Sequence, residues 1–177
     1  MAGRTMTRLS PVPRVVAFVL VFCALYVLFY LLRGGPVERL VIHDATVTPA
    51  AVLARILEPA TGAHPIGNRI YSAQGSLVVQ NGCEGVETLF MLWAAIAAFP
   101  AGVRAKCAGI AWGTLLVYGL NQLRLVALFL VSHHSKPVFE ALHGYVAPTL
   151  IVLLVGVFFV GWTGQISASP HEPAAPG

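Results

Sequence analysis

Four stretches of this chain are apolar almost without interruption, and the sequence between them is broken by glycine, proline and charge. The first, residues 15–32, follows Arg4, Arg8 and Arg14 and holds no ionisable group except the thiol of Cys23 and the phenols of Tyr26 and Tyr30. The others cover 86–103, 107–131 and 145–162. A membrane span needs about 20 apolar residues at about 1.5 Å rise each, so each stretch predicts a transmembrane helix. The first has the flanks of a signal peptide, but its apolar run is longer than a usual hydrophobic region. It ends in Leu31-Leu32-Arg33-Gly34-Gly35 rather than a small-x-small cleavage site, so a retained anchor is expected.

Between the first two stretches lies a segment too long for a bare turn and too short for a core of its own. Thr48-Pro49 reads as a helix start, a cap followed by proline at the first helical position. Val52, Leu53, Ile56 and Leu57 then fall on one face until Pro59. That predicts a short amphipathic helix, lying on the membrane surface or packed on the bundle. After a Gly/Pro-rich stretch at 62–67, a β-like run at 76–80 leads into Asn81-Gly82-Cys83. The tail, 167–177, is polar and proline-rich and is expected to be disordered. The expected fold class is an all-α integral membrane protein, a bundle of about four transmembrane helices with a short extracytoplasmic helix and loop region. Its expected parts are a cytoplasmic basic arm (1–14), an anchor helix (15–32), an extracytoplasmic segment (33–85), a helical core (86–166) and the tail.

Composition supports this plan. The chain is 57% hydrophobic and 10% charged, with a mean hydropathy of +0.78, more apolar than a soluble domain of this length sustains. The basic arm and the Arg104/Lys106 link between the second and third spans place both termini in the cytoplasm, because positive charge in short loops resists export. Residues 34–85 and 132–144 then lie outside, at the plasma (inner) membrane. The net charge of +4 needs no nucleic acid to explain it, since basic residues commonly flank membrane helices.

This connectivity carries three chemically active residues to one membrane face. Cys83 precedes the second span, His143 precedes the fourth, and Arg124 lies about seven residues before the outer end of the third, which runs the opposite way. A guanidinium within a span costs several kcal/mol or more and demands a partner or a wet cavity. Arg124 is therefore either a snorkelling arginine, a structural ion-pair partner of Glu84 or Glu87, or a functional group. Cys83 lies between Gly82 and Glu84-Gly85, where bare backbone allows close approach and the start of a helix favours thiolate over thiol. The bland role of a small buried hydrophobe suits Cys23 and Cys107 better. Three cysteines cannot all pair, and neither of those two lies at the outer face, so a disulfide to Cys83 is not expected. His133 and His134 share the outer loop with His143 but read as a mobile turn with Ser135-Lys136-Pro137. Their spacing with Cys83 matches no zinc pattern, so neither metal nor cofactor is expected. His43 and His64 read as ordinary loop residues. Asn81, Glu84, Glu87 and Asn121 flank the three groups and are expected to line a substrate site, the two acids either steering a basic substrate segment or balancing Arg124.

The motifs Asn81-Gly82-Cys83-Glu84-Gly85-Val86-Glu87, Asn121-Gln122-Leu123-Arg124-Leu125 and Phe139-Glu140-x-x-His143, in that order, resemble the exosortase/archaeosortase family of membrane transpeptidases. The resemblance covers roughly residues 76–151. The chain departs from the larger exosortases, which have about eight spans, and is similar to a compact form, the exosortase H type. The resemblance implies cleavage of C-terminal sorting tails of exported proteins, a short motif followed by a membrane helix and a basic cluster, as in PEP-CTERM-like tails. It implies Cys83 as nucleophile forming a thioester, His143 as general acid/base, Arg124 as stabiliser of the oxyanion, and a lipid or other cell-surface amine as acceptor. Read without it, the residues reach only a membrane thiol peptidase or acyltransferase. The competing class is a non-enzymatic carrier or assembly factor that uses Arg124 to bind an anionic lipid or a partner, with Cys83 incidental.

Overall fold

The computed structural model describes residues 11–73, 75–80, 82–132 and 134–168. Among the described residues, five helices, a 3-10 turn at Pro59–Thr61 and a small antiparallel sheet make up the fold. Helix α1 spans Pro11–Leu31, α2 Pro36–Leu57, α3 Val86–Ala98, α4 Val103–Ser132 and α5 Lys136–Ser167. Strands β1 (His64–Ile66), β2 (Arg69–Ser72) and β3 (Gly75–Val78) pair in the order β1-β2-β3. The chain is thus mainly helical but not all-α. Among the described residues four helices, α1, α2, α4 and α5, are long and apolar enough to cross a membrane.

That set differs from the four predicted spans. The expected span at 86–103 ends at Ala98, because Phe99 is extended (ψ 140°) ahead of Pro100, and the residue before proline is driven out of the α region. At 13 residues, α3 is about 20 Å long. Residues 33–85, read as loop and one short helix, contain instead the 22-residue α2. An α-helical segment does run from Thr48 to Leu57 and stops ahead of Pro59, but it does not open from a loop: π-helix leads straight into it, and the N-cap position falls on Val47, which offers no side-chain cap. Proline is accommodated inside α2 because the turns ahead of it widen to π-helix over Leu40–Val47. Thr46 Oγ1 donates to the Val41 carbonyl at 2.7 Å within this wide stretch. Pro49 has no N–H for the Ala45 carbonyl four residues earlier, and Gln122 Nε2 of α4 donates to it instead, at 3.2 Å. Helix α5 repeats the device, with π-helix over Leu142–Val146 ahead of Pro148.

Helices α1, α3, α4 and α5 run alternately up and down. Phe29, near the end of α1, meets Phe90 in the first turns of α3 edge-on, with centroids 5.9 Å apart. Leu92, Ile96 and Val117 form a core between α3 and α4, against which Phe158, Phe159 and Trp162 of α5 pack. Two glycines one turn apart on α4 let the helices close. A β-carbon on Gly109 would lie 2.6 Å from Trp162 Nε1, and one on Gly113 2.5 Å from Leu92 Cδ2. Small residues at this spacing are a common means of close helix approach in membranes.

The last turns of α4 project past the start of α3 and carry a cap. Val47, Ala50, Ala51 and Ala54 of α2, Ile70 and Leu77 of the sheet, and Leu125, Leu128 and Phe129 of α4 form one buried core. Residues 33–85 therefore gain a core by borrowing one face of α4. Full burial of each large side chain there contributes roughly 1.5–3 kcal/mol. His43 and His64, expected in loops, lie on α2 and β1. His43 Nδ1 is 2.8 Å from the carbonyl of Gly67 and ties α2 to the first hairpin turn, while the His64 ring stacks on Tyr71. The expected basic arm falls largely on residues 1–10, and most of the expected disordered tail on 169–177, both outside the described residues; residues 11–14 and 167–168 are helical.

Candidate functional site

The chain enters α3 through a turn built on two glycines in the left-handed region, Gly82 (φ +91°) and Gly85 (φ +78°). Between them, Cys83 N–H donates to the Gln80 carbonyl at 2.9 Å, which fixes the turn directly after the sheet. Gly85 is the N-cap of α3, so Cys83 stands two residues before the cap, farther from the helix than its sequence position suggested. The helix field fades beyond the first turn, and the charged group in contact with the sulfur is a cation.

That cation is Arg124, whose Nη2 lies 3.8 Å from Cys83 Sγ. The positions are set by packing one turn earlier on α4: Asn121 abuts Gly85, where a β-carbon would meet its side chain at 3.0 Å. Only glycine brings the turn this close to α4. Among the described residues, no ion pair within 4 Å joins Arg124 to Glu84 or Glu87, and those alternatives are not what the fold builds. Arg124 Nε is buried without a hydrogen-bond partner among the described residues.

His143 is not ahead of the last helix but inside it, in the π-helical stretch of α5. Its ring lies parallel to Phe139 one turn earlier, at 3° and 5.6 Å between centroids, a stack that holds the imidazole in one orientation. Cys83 and His143 line a common cavity of about 280 Å³, with Phe139, Leu125 and Leu128 completing its helical walls. His143 Nδ1 is buried without a partner among the described residues, and the charge of Arg124 reaches the imidazole. The remaining wall is β3, which contributes Ser76, Leu77 and Val78 in succession. Alternate residues of a strand point to opposite faces, so three consecutive lining residues mean that the backbone edge is presented. β3 is an edge strand of the sheet.

The flanking residues separate into two groups. Asn121 and Glu84 are buried, at 3% and 7% exposure, but face a second, apolar cavity on the other side of the Cys83 turn. Glu87 is exposed on the first turn of α3 and lines neither cavity. Asn81 and His133 lie outside the described residues. His134 is exposed, with Nδ1 2.8 Å from the Leu130 carbonyl. Among the described residues no group of three metal-ligating side chains occurs. Sequence reasoning did not single out Phe139 as the imidazole mount or β3 as a wall. The i,i+4 spacing of Phe139 and His143 carried the first signal; the second is invisible without the sheet.

No family model, no curated protein and no solved structure matches this chain.

Proposed function

We propose that this protein is a membrane-embedded cysteine transpeptidase or protease that cleaves the C-terminal tails of exported proteins, in the manner of the exosortase-like enzymes its motifs resemble. In this reading α1, α4 and α5 cross the plasma membrane as full-length helices, and the 13-residue α3 crosses between them with the help of the non-helical link at 99–102. The sheet and α2 form an extracytoplasmic cap, since strand edges are not tolerated in lipid and α2 packs on the sheet. The observation that carries the reading is the contact of Arg124 with Cys83 Sγ, in a turn whose thiol shares one cavity with His143.

The chemistry follows from these groups. An extended peptide pairs its backbone with the free edge of β3, a recognition mode in which main-chain hydrogen bonds supply affinity, and its scissile carbonyl comes to Cys83. The thiol gives its proton to His143 as sulfur attacks the carbonyl carbon, with the Arg124 cation beside the developing negative charge. His143 returns that proton to the departing amine, leaving a thioester. An incoming amine then attacks the thioester, loses a proton through His143 and releases the Cys83 sulfur; water in its place gives hydrolysis. A substrate cut just outside its own membrane helix presents the bond at this interface.

The test is tail processing of an exported reporter, read as a mass shift, in the native host carrying Cys83→Ala or Arg124→Ala. Loss of processing by at least about a hundredfold in both is expected. A silent Cys83→Ala beside an inactive Arg124→Ala would instead establish the carrier, in which the guanidinium binds an anionic headgroup.

A further inference from the structure

On the side of the turn away from Cys83, the fold leaves a groove of about 480 Å³. Helix α1 packs on α3, and α3 on α4, but α1 has no substantial packing against α4. The groove lies between them with α3 as its floor. Leu28, Phe29, Phe90, Leu115 and Tyr118 make it apolar, and Leu28, Leu115 and Tyr118 are well exposed at its lateral mouth. On the membrane reading, that mouth opens to lipid.

Its upper end is chemically unlike the rest. Glu84 and Asn121 both line it, each more than nine-tenths buried, and Glu84 Oε2 and Asn121 Oδ1 have no hydrogen-bond partner among the described residues. Two unpaired acceptors at the head of an apolar slot call for a ligand with an apolar body and a donating, cationic head. Arg33 follows the groove residue Leu32 without itself lining the groove. Its guanidinium lies 5.4 Å from the ring centroid of Tyr30 and 5.8 Å from that of Phe29, a groove residue, its charge is felt at Glu84, and its buried Nε has no partner among the described residues.

We propose that this groove binds an aminophospholipid, with the primary ammonium at Glu84 and Asn121, the phosphodiester at Arg33 and one acyl chain in the slot. A transmembrane peptide fits less well. A helix is about 10 Å across with its side chains, so roughly one turn of it would fill a space this size, whereas an acyl chain fits along its length. The charges run in the headgroup's order, anion toward the guanidinium and cation toward the carboxylate. The proposal concerns binding and stands whether or not Cys83 is a nucleophile, since the groove and the thiol cavity lie on opposite sides of the turn.

The experiment measures lipid retained by purified full-length protein, by native mass spectrometry, after exchange with phosphatidylethanolamine or phosphatidylcholine of identical chains. The choline head keeps the phosphate but lacks N–H donors. All measurements use the Cys83→Ala background, so that failure of the catalytic reading does not affect the result. Retention of the ethanolamine lipid should exceed that of the choline lipid by about tenfold, the scale of one charge-assisted hydrogen bond. Glu84→Gln should abolish the preference, and Arg33→Gln should lower retention of both lipids. Circular dichroism confirms that each variant is folded, and Glu87→Gln, outside the groove, should retain the preference. Equal retention of the two lipids by the parent protein, a preference that survives Glu84→Gln, or displacement of the lipid by a transmembrane peptide at equal concentration would overturn the proposal.

Discussion

Cys83 and Glu84 are neighbours in sequence with opposite surroundings. The turn points the thiol toward the cavity shared with His143 and the carboxyl toward the apolar groove. Burial pushes the Glu84 carboxyl above its ordinary value of 4.5; backbone N–H groups of Glu84 and Gly82 oppose this, repulsion from Glu87 adds to it and Arg33 counters it. The native state then holds a proton over a range where the unfolded chain has lost it. Stability therefore falls as pH rises from the ordinary carboxylate value through the raised one. Thermal unfolding in detergent free of aminolipid should show this decline for the parent and not for Glu84→Gln, which should be the more stable of the two at neutral pH. Superimposable pH profiles would show that the carboxyl ionises freely in the folded protein. At this scale the nearness of Cys83, Arg124 and His143 was legible, because connectivity and a 1.5 Å rise per residue suffice to compare their depths. Which side of the turn Glu84 faces was not legible, since that depends on two positive-φ glycines and the fit of Gly85 against Asn121.

Among the elements, proline and glycine do opposite work. Pro49 and Pro148 each follow a π-helical stretch, and the second stretch carries His143. Sequence reading took Pro49 for the start of a helix because proline is common at the first helical position; a carbonyl partner on another helix, Gln122, made an internal proline tolerable. The glycines of α4 control approach. Gly109→Ala would drive its β-carbon into the Trp162 indole, which donates to the Ala105 carbonyl at 3.3 Å. A loss of about 1–3 kcal/mol is expected, as for overpacking elsewhere, seen as a lower unfolding temperature. Gly119→Ala, on the same helix with nothing within 4 Å of the new atom, should be neutral or slightly stabilising. Equal effects of the two would mean that α4 and α5 do not meet through Gly109.

The whole molecule is an alternating bundle with a cap fastened to the projecting end of α4. The bundle was legible because uninterrupted apolar runs carry the order of helices. The cap was not, because its core is shared: the face predicted to pack, Val52, Leu53, Ile56 and Leu57, is exposed, and the small residues Ala50 and Ala54 with Val47 meet Leu125, Leu128 and Phe129 instead. The first hairpin had a signal that went unread, Gly67-Asn68 between Ile66 and Arg69, with Gly67 at φ +58° as the turn requires. Without the cap there is no β3 edge and the thiol cavity would lack a wall. The central claim is that Cys83 is an accessible nucleophile activated by its two neighbours, and alkylation tests it most directly. In a Cys23→Ser/Cys107→Ser background, a membrane-impermeant maleimide added to intact cells or spheroplasts should label Cys83. The labelling rate should fall by roughly tenfold in Arg124→Gln and in His143→Gln, as the sulfur loses the guanidinium 3.8 Å away and the base that shares its cavity. Failure to label Cys83 from outside, or rates that ignore both substitutions, would contradict it.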